Sequence, residues 1–332
     1  MFQPFPSIES VHPMKNRKNL VQKLLPYPAL ILTLILDIAI PESPRQVAAG
    51  KPYFQYLVST ILVIYTVLFL LSFFWKKADT RLVSRGPFLC GLSLFICGIN
   101  LIVSKYALLP VLFFPSLDRI IEVYPTDWKL LLTCVLSSGQ LLIIGFLIGG
   151  ALGFFTGVLI GFSKKAAYWI QPFMKFIGPI PATSWSPLVL SLFTTTYQAA
   201  VFMVALAVWF PITLMTSSGI ANVQNAYFEV SQTLGAGKWT QIFRVGVPAA
   251  MPSIFLGVFY ATCGSFTTLV TAELLGAESG LGWYLDWQKS MMLYANVYAG
   301  LILMAVICAF VLTMVFRLKD HLLVWQKGVI KW

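Results

Sequence analysis

The sequence predicts an all-α protein that crosses a membrane about eight times. Three observations carry that reading. Long apolar runs recur along the chain, separated by short polar stretches. Of 332 residues 58% are hydrophobic and only 11% charged, whereas soluble domains carry about a quarter charged residues. The formal net charge of +11 is not spread evenly. Lys and Arg collect in alternate loops, so topology accounts for them and a nucleic-acid partner is not implied.

Residues 1–19 are polar. A first apolar span covers about Leu20–Ile40. Its basic flank is long and the small-residue stretch Val47-Ala48-Ala49 is distant, which favours a retained helix over a signal peptide. Asp37 lies three residues before Ile40-Pro41, so it is expected near the outer end of the span and in reach of water. A functional intramembrane carboxylate is the other reading. A second span covers Phe54–Trp75, followed by a basic loop with Lys76, Lys77, Arg81 and Arg85, and a third covers Pro87–Val103. The stretch Lys105–Lys129 carries prolines and reads as interfacial with one short helix.

The fourth apolar run, Leu130–Phe162, is too long for a bilayer core of roughly 30 Å and must tilt or protrude. It carries Gly145, Gly149, Gly153, Gly157 and Gly161 at every fourth position. Such a stripe lets another helix approach backbone to backbone. Ala166–Phe193 holds Pro172, Pro179, Pro181 and Pro187 and is expected as a surface helix, a turn and a fifth span. Gln198–Ser218 is the sixth, Ser253–Ala272 the seventh and Tyr294–Phe316 the eighth.

Placing the amino terminus in the cytoplasm puts 17 of the 23 Lys and Arg residues on inner segments. Arg45, Lys51, Lys105, Arg119, Lys129 and Lys289 remain outside. The bias supports eight crossings with both termini cytoplasmic, and it sets loop 225–252 on the inner side. Cys90, Cys97, Cys134, Cys263 and Cys308 all lie in apolar stretches without metal-ligand spacing, and read as buried small hydrophobes. His12 and His321 suggest no metal site.

The loop itself carries the strongest motif. Glu229-Val230-Ser231 is followed by three residues, Gly235, nine residues, and Val245-Gly246-Val247-Pro248. A helix over Tyr227–Leu234, a glycine break through Gly235 and Gly237, and a second helix from Lys238 would form a compact knob. This spacing resembles the coupling loop of ABC importer permeases, whose pattern is Glu-Ala-Ala, three residues, Gly, nine residues, Ile, any residue, Leu-Pro. Val230, Ser231, Val245 and Val247 are conservative departures. The resemblance runs from about Pro87 to Trp332 and is to the subfamily of sulfonate, taurine, nitrate and bicarbonate importers. Its pieces include Phe114-Pro115-Ser116, Gly178-Pro179-Ile180-Pro181-Ala182, Ala272-Glu273-Leu274-Leu275-Gly276 and Ser279-Gly280-Leu281-Gly282.

The resemblance implies a six-helix type I permease domain over residues 87–332, preceded by two additional helices within residues 1–86. It implies a bacterial inner-membrane subunit that pairs with a second copy and meets an extracytoplasmic substrate-binding protein. Two ATPase subunits would dock on Glu229, Val230, Ser231, Leu234, Gly235, Gly237, Val247 and Pro248, with Glu229 capping or pairing at the helix start. ATP and magnesium would be used by that partner. Gly235-Ala236-Gly237-Lys238-Trp239 is not a phosphate loop, because Gln232 and Trp239 stand where Gly and Ser or Thr are required.

Candidates for a translocation path are the polar groups on apolar spans, namely Gln140, Ser184, Ser186, Thr213, Ser217, Thr262, Ser265, Thr267, Thr268 and Glu273. Each is equally readable as a packing or backbone-bonded group. Glu273, with Glu278 and Asp286, is expected at the outer surface, facing a delivery protein or simply solvated. Gln140 and Phe193-Thr194 stand where the subfamily often has Arg and Phe-Gly. The missing cation weakens the case for an anionic substrate. An ion-coupled transporter or channel is the competing class, and it would place charged residues at mid-membrane.

Overall fold

The computed structural model describes residues 19–324. Among them, seven helices are long and apolar enough to cross a membrane, one fewer than expected. The chain divides into two compact units, Met1–Trp128 with Met292–Ala299, and Lys129–Met291 with Gly300–Trp332.

The first unit is built on α1 (Asn19–Ala39), α2 (Tyr53–Leu71), α3 (Lys76–Asn100) and the short α4 (Leu117–Thr126). Leu30, Phe54 and Val58 form its small core, with Leu34, Leu62, Ile96, Leu117 and Ile121 packed around them. Two expectations fail here. The basic stretch from Lys76 is not a loop but the first turns of α3, which runs on through Pro87. Asp79 in its first turn favours that helix start, and it pairs with Lys23 from α1. Asp37 does not reach water either. It is 4% exposed, with the Lys105 ammonium 2.9 Å away and the Asn100 amide donating at 2.6 Å. α3 ends in a wide turn over Leu101–Lys105, which turns Lys105 back to this carboxylate.

The second unit holds α5 (Trp128–Phe162), α6 (Lys164–Ile177), a tight turn over Ala182–Trp185, α7 (Ser186–Leu192), α8 (Thr196–Ala221), α9 (Asn225–Thr233), α10 (Lys238–Leu274), α11 (Leu281–Ser290) and most of α12 (Tyr294–Leu322). The glycine stripe of α5 is the seam against α8. A Cβ on Gly145 would fall 2.7 Å from Val204, one on Gly149 2.2 Å from the Ala205 carbonyl oxygen, and one on Gly161 2.8 Å from Ile220. Position numbers rise together along this seam, so α5 and α8 are parallel. Along α10 they run oppositely. A Cβ on Gly219 would meet Ser253, and one on Gly257 would meet Met215, so α8 and α10 form an antiparallel pair.

Parallel packing of α5 and α8 dictates what lies between them. The segment 163–195 leaves the far end of the seam and must return its whole length. It does so as two half-helices rather than as the single fifth span expected. α6 keeps an exposed face, with Met174 its one buried side chain, and just past its end the Phe210 ring fills the place of a Cβ on Gly178. That contact lies eleven residues before the end of α8 at Ala221, roughly 16 Å along the axis. α7 completes the return, with Val189 in the core formed by Leu141, Met203, Val204, Val208 and Ala261. Prolines at 179, 181 and 187 explain the break, since each removes a backbone donor and disfavours helix in the residue before it.

Candidate functional site

Two places in the second unit can carry function. The first is the end where α8 turns into α10. α9 occupies Asn225–Thr233 and ends at Leu234, and Gly235 follows with φ +79°. That backbone conformation is open to glycine and strained for other residues. The Ala236 N–H returns to the Ser231 carbonyl at 2.9 Å, closing the turn. The expected second surface helix is instead the beginning of α10, which continues through a wide stretch at Gln241–Gly246 and past Val247 and Pro248.

This end presents a cluster of apolar side chains to its surroundings. Leu234 is 82% and Trp239 74% exposed, with Val230 and Tyr227 also exposed. Trp239 and Phe243 stack with ring centroids 5.9 Å apart. Glu229 and Gly237 are exposed, and Ser231 is buried with its hydroxyl on the Phe228 carbonyl. Glu229 stands on the fifth residue of α9, so it does not cap the helix start. Exposed apolar clusters of this kind mark interaction sites.

The second place is the break between α6 and α7. A cavity of about 320 Å³ opens there, lined by Gly178, Pro181, Thr183, Phe210, Gly264 and Thr267 among others. Of the polar groups singled out from sequence, Thr267 and Thr268 line it. Thr213, Thr262 and Ser265 are buried, and their hydroxyls bond to the carbonyls of Trp209, Val258 and Thr262. Ser217 bonds to Leu214, Ser186 is half-buried, and Gln140 and Ser184 are exposed away from the cavity. Beside the cavity, two further polar groups not singled out from sequence hold Thr213. The Trp209 indole donates to the Thr156 hydroxyl at 3.1 Å, which lies 2.8 Å from that of Thr213. Thr183 reaches the cavity only because the chain breaks beside it.

Glu273 is not solvated, and it does not line the cavity. It is 1% exposed. Its carboxylate accepts from the Ser138 hydroxyl and from the Gly282 N–H, each at 2.6 Å. Ser138 in turn accepts from the Leu281 N–H at 2.8 Å. One carboxylate thereby ties α5, the end of α10 and the start of α11, where a helix amino terminus favours negative charge. The loop lies so close that a Cβ on Gly280 would sit 2.4 Å from the carboxyl carbon.

Comparison with known proteins follows the second unit. Residues 149–323 match the family model described as binding-protein-dependent transport system inner membrane component. The chain is 32% identical over 185 residues to a putative aliphatic sulfonates transport permease protein of Bacillus subtilis, covering 56% of this chain and 67% of that one. It is 27% identical over 176 residues to a nitrate import permease protein of Synechococcus elongatus, where it spans 63% of the relative's length. Among solved structures, a chain of the MetNI methionine ABC transporter in an inward-facing conformation is similar, with a TM-score of 0.51 at 18% identity. That match covers 59% of this chain and 98% of the other, and it supports the fold.

Proposed function

Because the chain belongs to the family of binding-protein-dependent transport system inner membrane components, the permeases of ABC importers, we propose that it forms the membrane path of an importer driven by a separate ATPase gripping the knob at α9. The observation that carries this reading is the exposed cluster of Val230, Leu234 and Trp239, held on a turn that depends on Gly235. A soluble partner bound there would cover apolar surface that is otherwise costly to leave in water.

The geometry gives such a partner leverage. α10 has 37 residues, about 55 Å at 1.5 Å per residue, and begins at Lys238 beside the knob. Its far end is clasped to α5 and α11 through Glu273. Force applied at Trp239 would therefore swing α10 about its clasped end, and α8, packed along it, would follow. The cavity between α8, α10 and the α6–α7 break would change shape with that motion. Its volume suits a small solute. The names of the relatives point to small organic or inorganic anions, while the lining, led by Phe210 and threonine hydroxyls, suits groups that accept hydrogen bonds.

Two ATPase subunits, which would hold ATP and magnesium, a second copy of this chain and an extracytoplasmic substrate-binding protein complete the assembly in a bacterial inner membrane. Both termini would be cytoplasmic, since the return of segment 163–195 restores the eight crossings that the charge bias requires. Purification from the native membrane in mild detergent tests the reading. An ATPase should accompany the wild-type chain and be lost with Gly235→Asp. If no ATPase accompanies the folded wild-type chain, the proposal is wrong and an ion-coupled transporter takes its place.

A further inference from the structure

The 14 residues of α6 carry a pattern that the transport reading does not use. At about 100° per residue, Ala166, Ile170, Met174 and Ile177 fall on one face, and Met174 is buried there. Lys164, Tyr168, Gln171 and Lys175 fall on a second face. Trp169, Phe173 and Phe176 fall on a third, with Lys165 at its edge toward the second. The aromatic side chains of these two outer faces are between 62% and 73% exposed, and all three lysines are exposed. A groove of about 460 Å³ runs among them. Every residue lining it belongs to α6, Trp169, Phe173 and Lys175 included, so no other described element reaches into it.

The charge is one-sided. No Asp or Glu stands between Asp127 and Glu229, and among the described residues none of the three lysines is in an ion pair. The position is specific too. α6 follows α5 after the single residue Ser163, whose hydroxyl accepts from the Ala166 N–H at 3.2 Å. It therefore starts at the end of a helix long and apolar enough to cross a membrane. Aromatic faces left in water there are costly, whereas aromatic rings at headgroup level and lysines beside lipid phosphates are both favourable.

We propose that α6 rests on the membrane surface and binds anionic lipid headgroups. The aromatic face sinks toward the acyl chains, and Lys164, Lys165 and Lys175 meet the phosphates. Lys175, nearest the Phe210 contact, reaches back to them on its long stem. The remaining face stays on the protein through Met174. A membrane boundary sets an apolar layer beside an anionic one, the same order in which α6 sets its aromatic and lysine faces. The effect extends to the cavity at the α6–α7 break, because Ile177 and Gly178 line it.

Amide hydrogen exchange of residues 163–178 should be compared for the full-length protein in nanodiscs of phosphatidylglycerol and of phosphatidylcholine at one pH. Anchoring suppresses local opening of the helix. Protection is expected to be roughly tenfold or more higher on the anionic lipid, since each lysine near such a surface contributes about fivefold, and the gain should be confined to this segment. Lys164→Gln with Lys165→Gln and Lys175→Gln should erase it. Arg45→Gln with Lys51→Gln and Lys289→Gln removes as much charge elsewhere and should keep it. Equal protection in the two lipids overturns the proposal and leaves the exposed faces to a protein partner. A gain spread evenly along the chain, or one that survives the triple change in α6, overturns it as well. Should that variant not fold, salt decides in the wild type. Near 1 M, where the screening length is about 3 Å, the gain should vanish, and its persistence refutes binding through charge. Neither readout involves an ATPase or a transported solute, so the outcome is independent of the transport proposal.

Discussion

At the scale of single residues, buried charge is where sequence and structure part most. Asp37 and Glu273 both sit near the ends of apolar runs, and end positions suggested water. Each is instead buried against a partner far away in sequence, Lys105 and Ser138 respectively, and single-chain patterning carries no sign of such pairings. Two predictions follow from the partners. Lys105→Met alone leaves the Asp37 charge uncompensated and should cost about 3–5 kcal/mol, whereas Lys105→Met combined with Asp37→Leu should recover most of it. Thermal unfolding of the two variants in detergent checks the difference. Glu273→Ala should loosen the joint of α5, α10 and α11, because it strands the Ser138 hydroxyl and the Gly282 N–H. Faster amide exchange over residues 276–290 would register it, and unchanged exchange would refute the clasp. The turn at Gly235, by contrast, was legible from the glycine break between two helical stretches, although which of Gly235 and Gly237 takes the positive φ was not.

Elements were read well where period and length agree. The long helix α5 and its glycine stripe follow from the sequence, although which helix meets the stripe does not. Direct contact with α8 sets the cost of filling it. Gly149→Val would drive a side chain into the Ala205 backbone, 2.2 Å from where the first carbon would sit, and should abolish the folded monodisperse species in fluorescence-detected size exclusion. Gly139→Ala, with nothing within 4 Å, should be neutral or stabilise by up to about 1 kcal/mol through helix propensity. The broken segment was visible as a run of prolines, but not as two half-helices. No local pattern shows where the end of α6 meets α8. That meeting comes from the packing of Gly178, a contact 32 positions away.

Across the whole molecule, the fold class was the most legible property, an all-helical chain with long apolar helices. Charge bias alone gave eight crossings and set the Glu229 loop on the inner side, whereas seven helices among the described residues are long and apolar enough to cross. The knob, its turn and the lever helix all lie in the second unit. A chain lacking residues 1–86 should therefore still bring down the ATPase, provided Lys105→Met accompanies the cut that removes Asp37. Loss of the ATPase from such a folded chain would assign the added helices a part in assembly.

The parallel seam of α5 and α8 also constrains how the protein is made. A ribosome delivers α5 first, and a neighbour of the same orientation can join it only after the chain has come back across the bilayer. The returning segment has no long apolar run for the insertion machinery to recognise. Its halves are sheltered by α8 and α10, so the return and the arrival of these helices have to be completed together. The glycine seam is thus a late joint in biogenesis. Nascent chains arrested near residue 195 should leave Lys164 to Leu192 on the side of synthesis, and chains extended past Leu274 should draw it in.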